Sequence, residues 1–171
     1  IPQLLEAGID SLKIEGRMKT ALYVATVART YRRAIDDYLE SEECYRKNMD
    51  WYKQEIGKCT YRQFTTGFYF GKPGRESQIY DSSTYQSEAV YLGMIEKTDE
   101  QGYAYLEQKN KFYVGDVVEI MKPDGRNIPV RVDAMVDEEG IPMESCPHAK
   151  QKFSVKLSEN PDPCDLLRML Q

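Results

Sequence analysis

The sequence predicts an α+β protein, with helices in the front half and a small antiparallel β-barrel behind them. Three observations predict it. Apolar residues recur at three- and four-residue steps up to residue 57, which is the helical period. Beyond residue 86, short alternating segments follow one another with turn-forming residues between them. The charge divides at the same place. Residues 1–60 hold ten basic and ten acidic side chains, residues 61–85 three and two, and residues 86–171 ten and sixteen. The formal charge of -5 therefore lies largely in the C-terminal half. Three segments are expected: 1–60, the end of an α/β domain; 61–85, an aromatic linker; and 86–171, the β-barrel.

The elements follow in order. Gln3–Ala7 reads as a helix end stopped by Gly8. Ile9 to Arg17 alternates. As a strand it would put Ser11, Lys13, Glu15 and Arg17 on one face and Leu12 and Ile14 on the other. A charged face of this kind suits the carboxyl end of a barrel strand, where inward polar residues build a site. An exposed strand with ordinary surface charges fits the pattern equally. Thr20 can cap a second helix, in which Val24, Val27, Tyr31, Ala34, Ile35 and Tyr38 form one apolar stripe. Arg29, Arg32 and Arg33 sit on its other faces, as a solvated surface or as phosphate contacts. Helix, strand, helix is an α/β repeat, and one such unit cannot close a barrel. Residues 42–57 predict a third helix, with Tyr45, Met49, Tyr52 and Ile56 on one side, Trp51 off that stripe and Gly57 as its stop.

From Gly67 the pattern changes. The run Phe64 to Gly74 is aromatic and interrupted by glycines and a proline, and residues 72–84 read as a loop. Strands are expected at 87–97, 103–108, 116–122, 128–136 and 152–158. Asp99 to Gly102, Pro123-Asp124-Gly125 and Glu138-Glu139-Gly140 separate them as turns. Residues 165–170 close the chain as a turn of helix or a strand. Strands this short favour a closed barrel, because an open sheet would leave exposed edges. The layout resembles the second-domain β-barrel of translation GTPases, a likeness of fold that says little about chemistry.

Composition excludes some functions. No apolar run approaches the roughly 18 residues of a membrane span. The net charge argues against coating nucleic acid electrostatically, though not against a local basic patch. The four cysteines, Cys44, Cys59, Cys146 and Cys164, form no CxxC pair of the kind structural zinc sites use. Without a secretion signal, reduced thiols are expected, as in a cytoplasmic protein. His148, the one histidine, lies two residues from Cys146 in a Pro-containing loop, a poor place for a nucleophile and its base. Thirteen tyrosines can fill a small core and its rim, or offer faces on which bases stack.

Three stretches carry a resemblance. The first is Asp10 to Lys19 (DSLKIEGRMK), with Tyr23-Val24-Ala25 and Tyr31 to Asp36 (YRRAID). The second is Phe64 to Pro73 (FTTGFYFGKP). The third is Asn110-Lys111-Phe112 with Gly115-Asp116, ending in Asp165-Leu166-Leu167-Arg168. Together they resemble the U32 peptidases, also called collagenase-like peptidases.

The resemblance implies a TIM-barrel-like N-terminal domain, of which this chain holds a remnant, and the C-terminal β-barrel that follows it in many members. It implies either peptidase activity, from which the family takes its name, or RNA hydroxylation. One branch makes 5-hydroxyuridine at the tRNA wobble position, with prephenate implicated, and another acts on ribosomal RNA. A related branch serves ubiquinone hydroxylation and carries an iron–sulfur cluster. The family's characteristic cysteines precede the signature, so the resemblance assigns no cofactor ligand to Cys44, Cys59, Cys146 or Cys164. Any such cluster would belong to the full-length parent. The resemblance does offer Lys13, Glu15, Arg17 and Lys19 as a candidate active-site face. Arg and Lys suit the carboxylates of prephenate or the phosphates of tRNA, and Glu can orient them or act as a base. A structural ion-pair network is the alternative for these four. The expected partners are tRNA or other RNA, met through the full-length protein, and the missing N-terminal barrel domain. No membrane is expected. Without that domain, the exposed apolar face is expected to drive self-association or to leave residues 1–20 disordered. The fragment by itself is expected to be inactive. A module serving only stability or protein interaction is the third reading of the C-terminal half.

Overall fold

The structure, a computed structural model of the chain, describes residues 1–59, 64–74 and 88–171. Most of the expected 61–85 linker lies outside those residues. The front half holds α1 (Pro2–Glu6), α2 (Ala21–Glu40), α3 (Glu42–Lys47) and α4 (Met49–Gly57). The Thr20 side chain accepts from the Tyr23 backbone N–H at 3.2 Å, so α2 starts where its cap predicts.

Two front-half expectations are corrected. Residues 9–17 form no strand: they pair with no strand among the described residues. A lone strand leaves its N–H and C=O groups without a ladder, so alternation alone does not make one. The single helix expected over 42–57 is two. Asn48 breaks it: its backbone leaves the helical range at φ −92° and ψ 3°, and its amide donates to Asp37 Oδ2 at 2.8 Å.

The back half holds β1 (Ala89–Thr98), β2 (Tyr103–Glu107), β3 (Val117–Met121), β4 (Asn127–Val136), β5 (Pro142–Met143), β6 (Lys152–Leu157) and β7 (Leu166–Leu170). The closing segment is thus a strand, and β5 is an addition to the expected set. The strands run antiparallel in the order β3-β7-β1-β2-β6-β4-β5. A further β3–β4 pairing closes the ring, leaving β5 as a short extension of β4. The ring is irregular, with register shifts at Tyr91/Gly93, Ile95/Lys97 and Val132/Ala134. Gly93 is required at the first of these. A Cβ there would lie 2.7 Å from Leu106 Cδ1 and 3.0 Å from the Glu107 carbonyl oxygen. Alternation sends Ala104 and Leu106 of β2, Val118 and Ile120 of β3, and Phe153, Val155 and Leu157 of β6 inward to one core. Burying each large apolar side chain there stabilises the ring by roughly 1.5–3 kcal/mol.

A buried polar joint fixes the helices to the barrel. Glu55 of α4 is 1% exposed, and Arg168 of β7 is fully buried. Arg168 reaches both Glu55 oxygens, at 3.1 and 3.2 Å, and donates to Glu119 at 2.9 Å. Arg29 of α2 also pairs with Glu55, and donates to the Lys122 carbonyl at 2.8 Å and to Asn127 Oδ1 at 3.1 Å. Lys58 adds a third cation, 2.8 Å from Glu55. Burial by itself would raise the Glu55 carboxyl, but Lys58, Arg168 and Arg29 outweigh it and hold the group below the usual range. Burial pulls the Arg29 guanidinium down, with Glu55 opposing. Beside this joint, Lys122 lies 2.5 Å from Asp165 and 2.7 Å from Asp162.

The joint also explains why the buried surface of α2 extends beyond its apolar stripe. Leu22, Thr26, Arg29 and Thr30 are buried; of the stripe, Val27 and Ala34 are buried, but Val24 and Tyr31 are half exposed. Of the three arginines expected on a solvated or phosphate-facing surface, only Arg32 is fully on the surface, paired with Asp36. Arg33 packs over Trp51 at 5.0 Å, and Arg29 is internal.

Candidate functional site

A groove of about 1030 Å³ lies beside α2. Tyr23, Val27, Tyr31 and Ile35 of α2 form its floor, Tyr52 and Ile56 of α4 one wall, and residues 11–15 the rim. The signature stretch borders this groove because Gly16 to Lys19 turns it back toward α2. The Lys19 N–H bonds to the Gly16 carbonyl at 2.9 Å, and Glu15 Oε1 accepts from the Arg17 N–H at 2.9 Å.

This geometry divides the four candidates. Lys13 and Glu15 line the groove, whereas Arg17 and Lys19 do not. Lys19 instead places its Nζ over the Tyr23 ring, 5.2 Å from the centroid. All four are exposed. Ser11, Leu12 and Ile14 border the groove as well, so the two faces expected of a strand are not kept apart. A polar rim over an apolar, tyrosine-lined floor can hold an anionic or aromatic group, with Lys13 as the cation and Glu15 as acceptor or base.

The four cysteines are free thiols. Cys59 and Cys146 are buried, Cys44 is half-buried and Cys164 exposed. Burial pushes the Cys59 and Cys146 thiols up, keeping them protonated, and Cys59 Sγ donates to the Ile56 carbonyl at 3.0 Å. Among the described residues no group of three potential metal ligands contains two cysteines. His148 sits on an exposed loop two residues from the buried Cys146. No helix among the described residues is long and apolar enough to cross a membrane.

Comparison with known proteins gives the site a family. Residues 1–79 match the family described as peptidase family U32, and residues 87–168 match the peptidase family U32 C-terminal domain. The chain belongs to the U32 family. It is 36% identical over 169 residues to tRNA hydroxylation protein P1 of Bacillus subtilis, a match covering 98% of this chain and 40% of that protein. It is 27% identical over 172 residues to a collagenase of Porphyromonas gingivalis, again covering 98% of this chain and 40% of that protein. The chain thus spans about two fifths of the length of these U32 relatives. Among solved structures, the C-terminal domain of a Geobacillus thermoleovorans U32 family protein aligns with a TM-score of 0.43 and 26% identity. That match covers 47% of this chain and 99% of the domain.

Sequence reasoning missed the polar joint. One signal pointed to it: Arg168 is a lone charge in the apolar run Leu166 to Leu170. A charge in such a strand is buried only when it is paired. Arg168, from the third stretch of the resemblance, is therefore part of the joint, engaged with Glu55 and Glu119, and Asp165 lies beside it, engaged with Lys122.

Proposed function

We propose that this chain is the C-terminal part of a tRNA-hydroxylating U32 protein, one that forms 5-hydroxyuridine at the wobble position. The observation that carries this reading is the 36% identity to tRNA hydroxylation protein P1 across 98% of the chain, against 27% to the collagenase over the same extent. The groove supports it. Lys13 can neutralise a phosphate or a prephenate carboxylate at the rim, and Glu15 can orient it or take a proton. Arg17 and Lys19 lie just beyond the groove, where they suit the flanking backbone of an RNA. The missing barrel domain completes the site, and an iron–sulfur cluster in the parent would take its cysteines from outside this chain. The isolated chain is then inactive.

The test is nucleoside analysis of tRNA from cells lacking the parent gene. Loss of 5-hydroxyuridine is expected, with restoration by the parent and not by its Lys13→Ala or Glu15→Gln variants, each accumulating to the level of the unaltered protein. Unchanged tRNA nucleosides sink the reading. In that case, cleavage of gelatin by the purified parent, abolished by a single substitution, would establish the peptidase alternative.

A further inference from the structure

The acidic balance of the C-terminal half conceals a basic face. That half has ten basic side chains. Arg168 and Lys122 are buried and paired, and Arg126 and Arg131 pair with Asp124 and Asp133 beside them. The other six are Lys97, Lys109, Lys111, Lys150, Lys152 and Lys156, and all are exposed. They gather on the outer side of the β1–β2–β6 sheet and on the loops at one end of it. Strand register shows this directly. Lys97 is opposite Tyr105, Lys156 opposite Tyr103, and Lys152 opposite Glu107. Past the end of the β2–β6 ladder, the Lys150 N–H bonds to the Gln108 carbonyl, bringing Lys150 toward Lys109 and Lys111.

Three of these lysines lie over tyrosine rings. Lys97 is 4.6 Å from the Tyr105 centroid, Lys156 5.7 Å from Tyr103 and Lys111 4.8 Å from Tyr113. Carboxylates share the surface: Glu107 and Asp99 are engaged, and Glu96 of β1 is exposed beside Lys97. Glu107 pairs with Lys109 at 2.5 Å, and Asp99 accepts from the Tyr105 hydroxyl at 3.2 Å and the Tyr103 N–H at 2.9 Å. Cations and tyrosine rings interleaved along one sheet face make a surface that meets phosphates with the lysines and bases with the rings. Lys152 and Lys156, four residues apart on one strand, are spaced by roughly 13 Å, and so can contact separated phosphates of one strand.

We infer that this Lys–Tyr face of the β1–β2–β6 sheet is an RNA-docking surface, which holds the tRNA while the groove side of the parent acts on it. The inference rests on the tRNA reading above. Charge complementarity selects RNA as the occupant, and the rings add a contact that an acidic protein has no need of. The surrounding acidic surface keeps binding weak at physiological salt, so it is measured at about 50 mM.

The test uses the 171-residue chain and an unmodified tRNA transcript. Lys97→Gln/Lys152→Gln/Lys156→Gln is expected to weaken binding by about tenfold or more, and to flatten the slope of log affinity against log salt by about 2. Tyr103→Ala/Tyr105→Ala is expected to weaken it with the slope unchanged. The control Arg46→Gln/Arg126→Gln, on α3 and the β3–β4 turn, is expected to bind as the unaltered chain does. Circular dichroism checks that each variant folds. No binding by the unaltered chain at 50 mM salt overturns the inference. So does an equal loss in the control, an unaffected triple variant, or competition by polyglutamate as effective as that by RNA. These outcomes leave the hydroxylation reading standing on its own nucleoside test.

Discussion

Glu55 is the residue on which the two halves depend. It is 1% exposed and bordered by Arg29, Lys58 and Arg168. Removing one partner from a buried ion network costs about 3–5 kcal/mol, because the remaining charges lose their compensation. Glu55→Gln is therefore expected to destabilise the chain by that order at neutral pH, read by urea unfolding. The sign of its pH dependence follows from the lowered carboxyl. Stability from Glu55 is complete above the ordinary Glu value of about 4.3 and is lost as the pH falls through the lower value in the folded chain. Trp51, the single tryptophan, lies against Arg29 and Arg33 and reports on this region. Its fluorescence is expected to change below about pH 4 in the unaltered chain, and less in Glu55→Gln. The same acid transition in both would remove Glu55 as its cause. Lys13 and Glu15 differ in kind. They are exposed and lie at the groove rim, so substituting them is expected to leave folding unchanged.

At the scale of elements, the β3–β4 turn joins barrel to helices. Gly125, at φ +95°, presses on α2 and α4. A Cβ there would lie 2.9 Å from the Arg33 guanidinium and 3.4 Å from the Trp51 ring. Its turn chemistry was legible in Pro123-Asp124-Gly125, but its contact with Trp51 was not, since nothing local links residue 125 to residue 51. Gly125→Ala adds strain at a left-handed φ and a clash at the joint, for an expected cost of about 1–3 kcal/mol. Thermal unfolding measures it. A loss under 0.5 kcal/mol would mean that the turn does not press on the helices. Capping and alternation were readable for α2 and for the strands, because each is a local choice. The strand expected at 9–17 failed for the opposite reason: alternation names the faces of a strand, while forming one needs a neighbour.

At the scale of the molecule, the groove leaves a broad apolar floor open beside α2. Ile14, Val24, Tyr31 and Phe64 are all more than a third exposed near it. Apolar surface of this extent promotes association. The 171-residue chain is expected to show a sedimentation coefficient that rises with concentration, and less so when Val24→Ser/Tyr31→Ser is introduced. A concentration-independent monomer would contradict this.

The sequence by itself determined the α+β division, the cap of α2, most of the barrel strands and the U32 resemblance. Each is written in local period, turn chemistry or motif. The tertiary structure alone decided three things. It divided the signature residues, placing Lys13 and Glu15 on the groove and Arg17 and Lys19 off it. It made Arg29, Glu55 and Arg168 one buried joint. It set Lys97, Lys152 and Lys156 on the outer side of the β1–β2–β6 sheet and Lys109, Lys111 and Lys150 on the loops at its end. Net charge and periodicity sum over the chain or over one element, whereas a buried pair or a charged face depends on which distant residues the closed ring and the packed helices bring within a few ångströms.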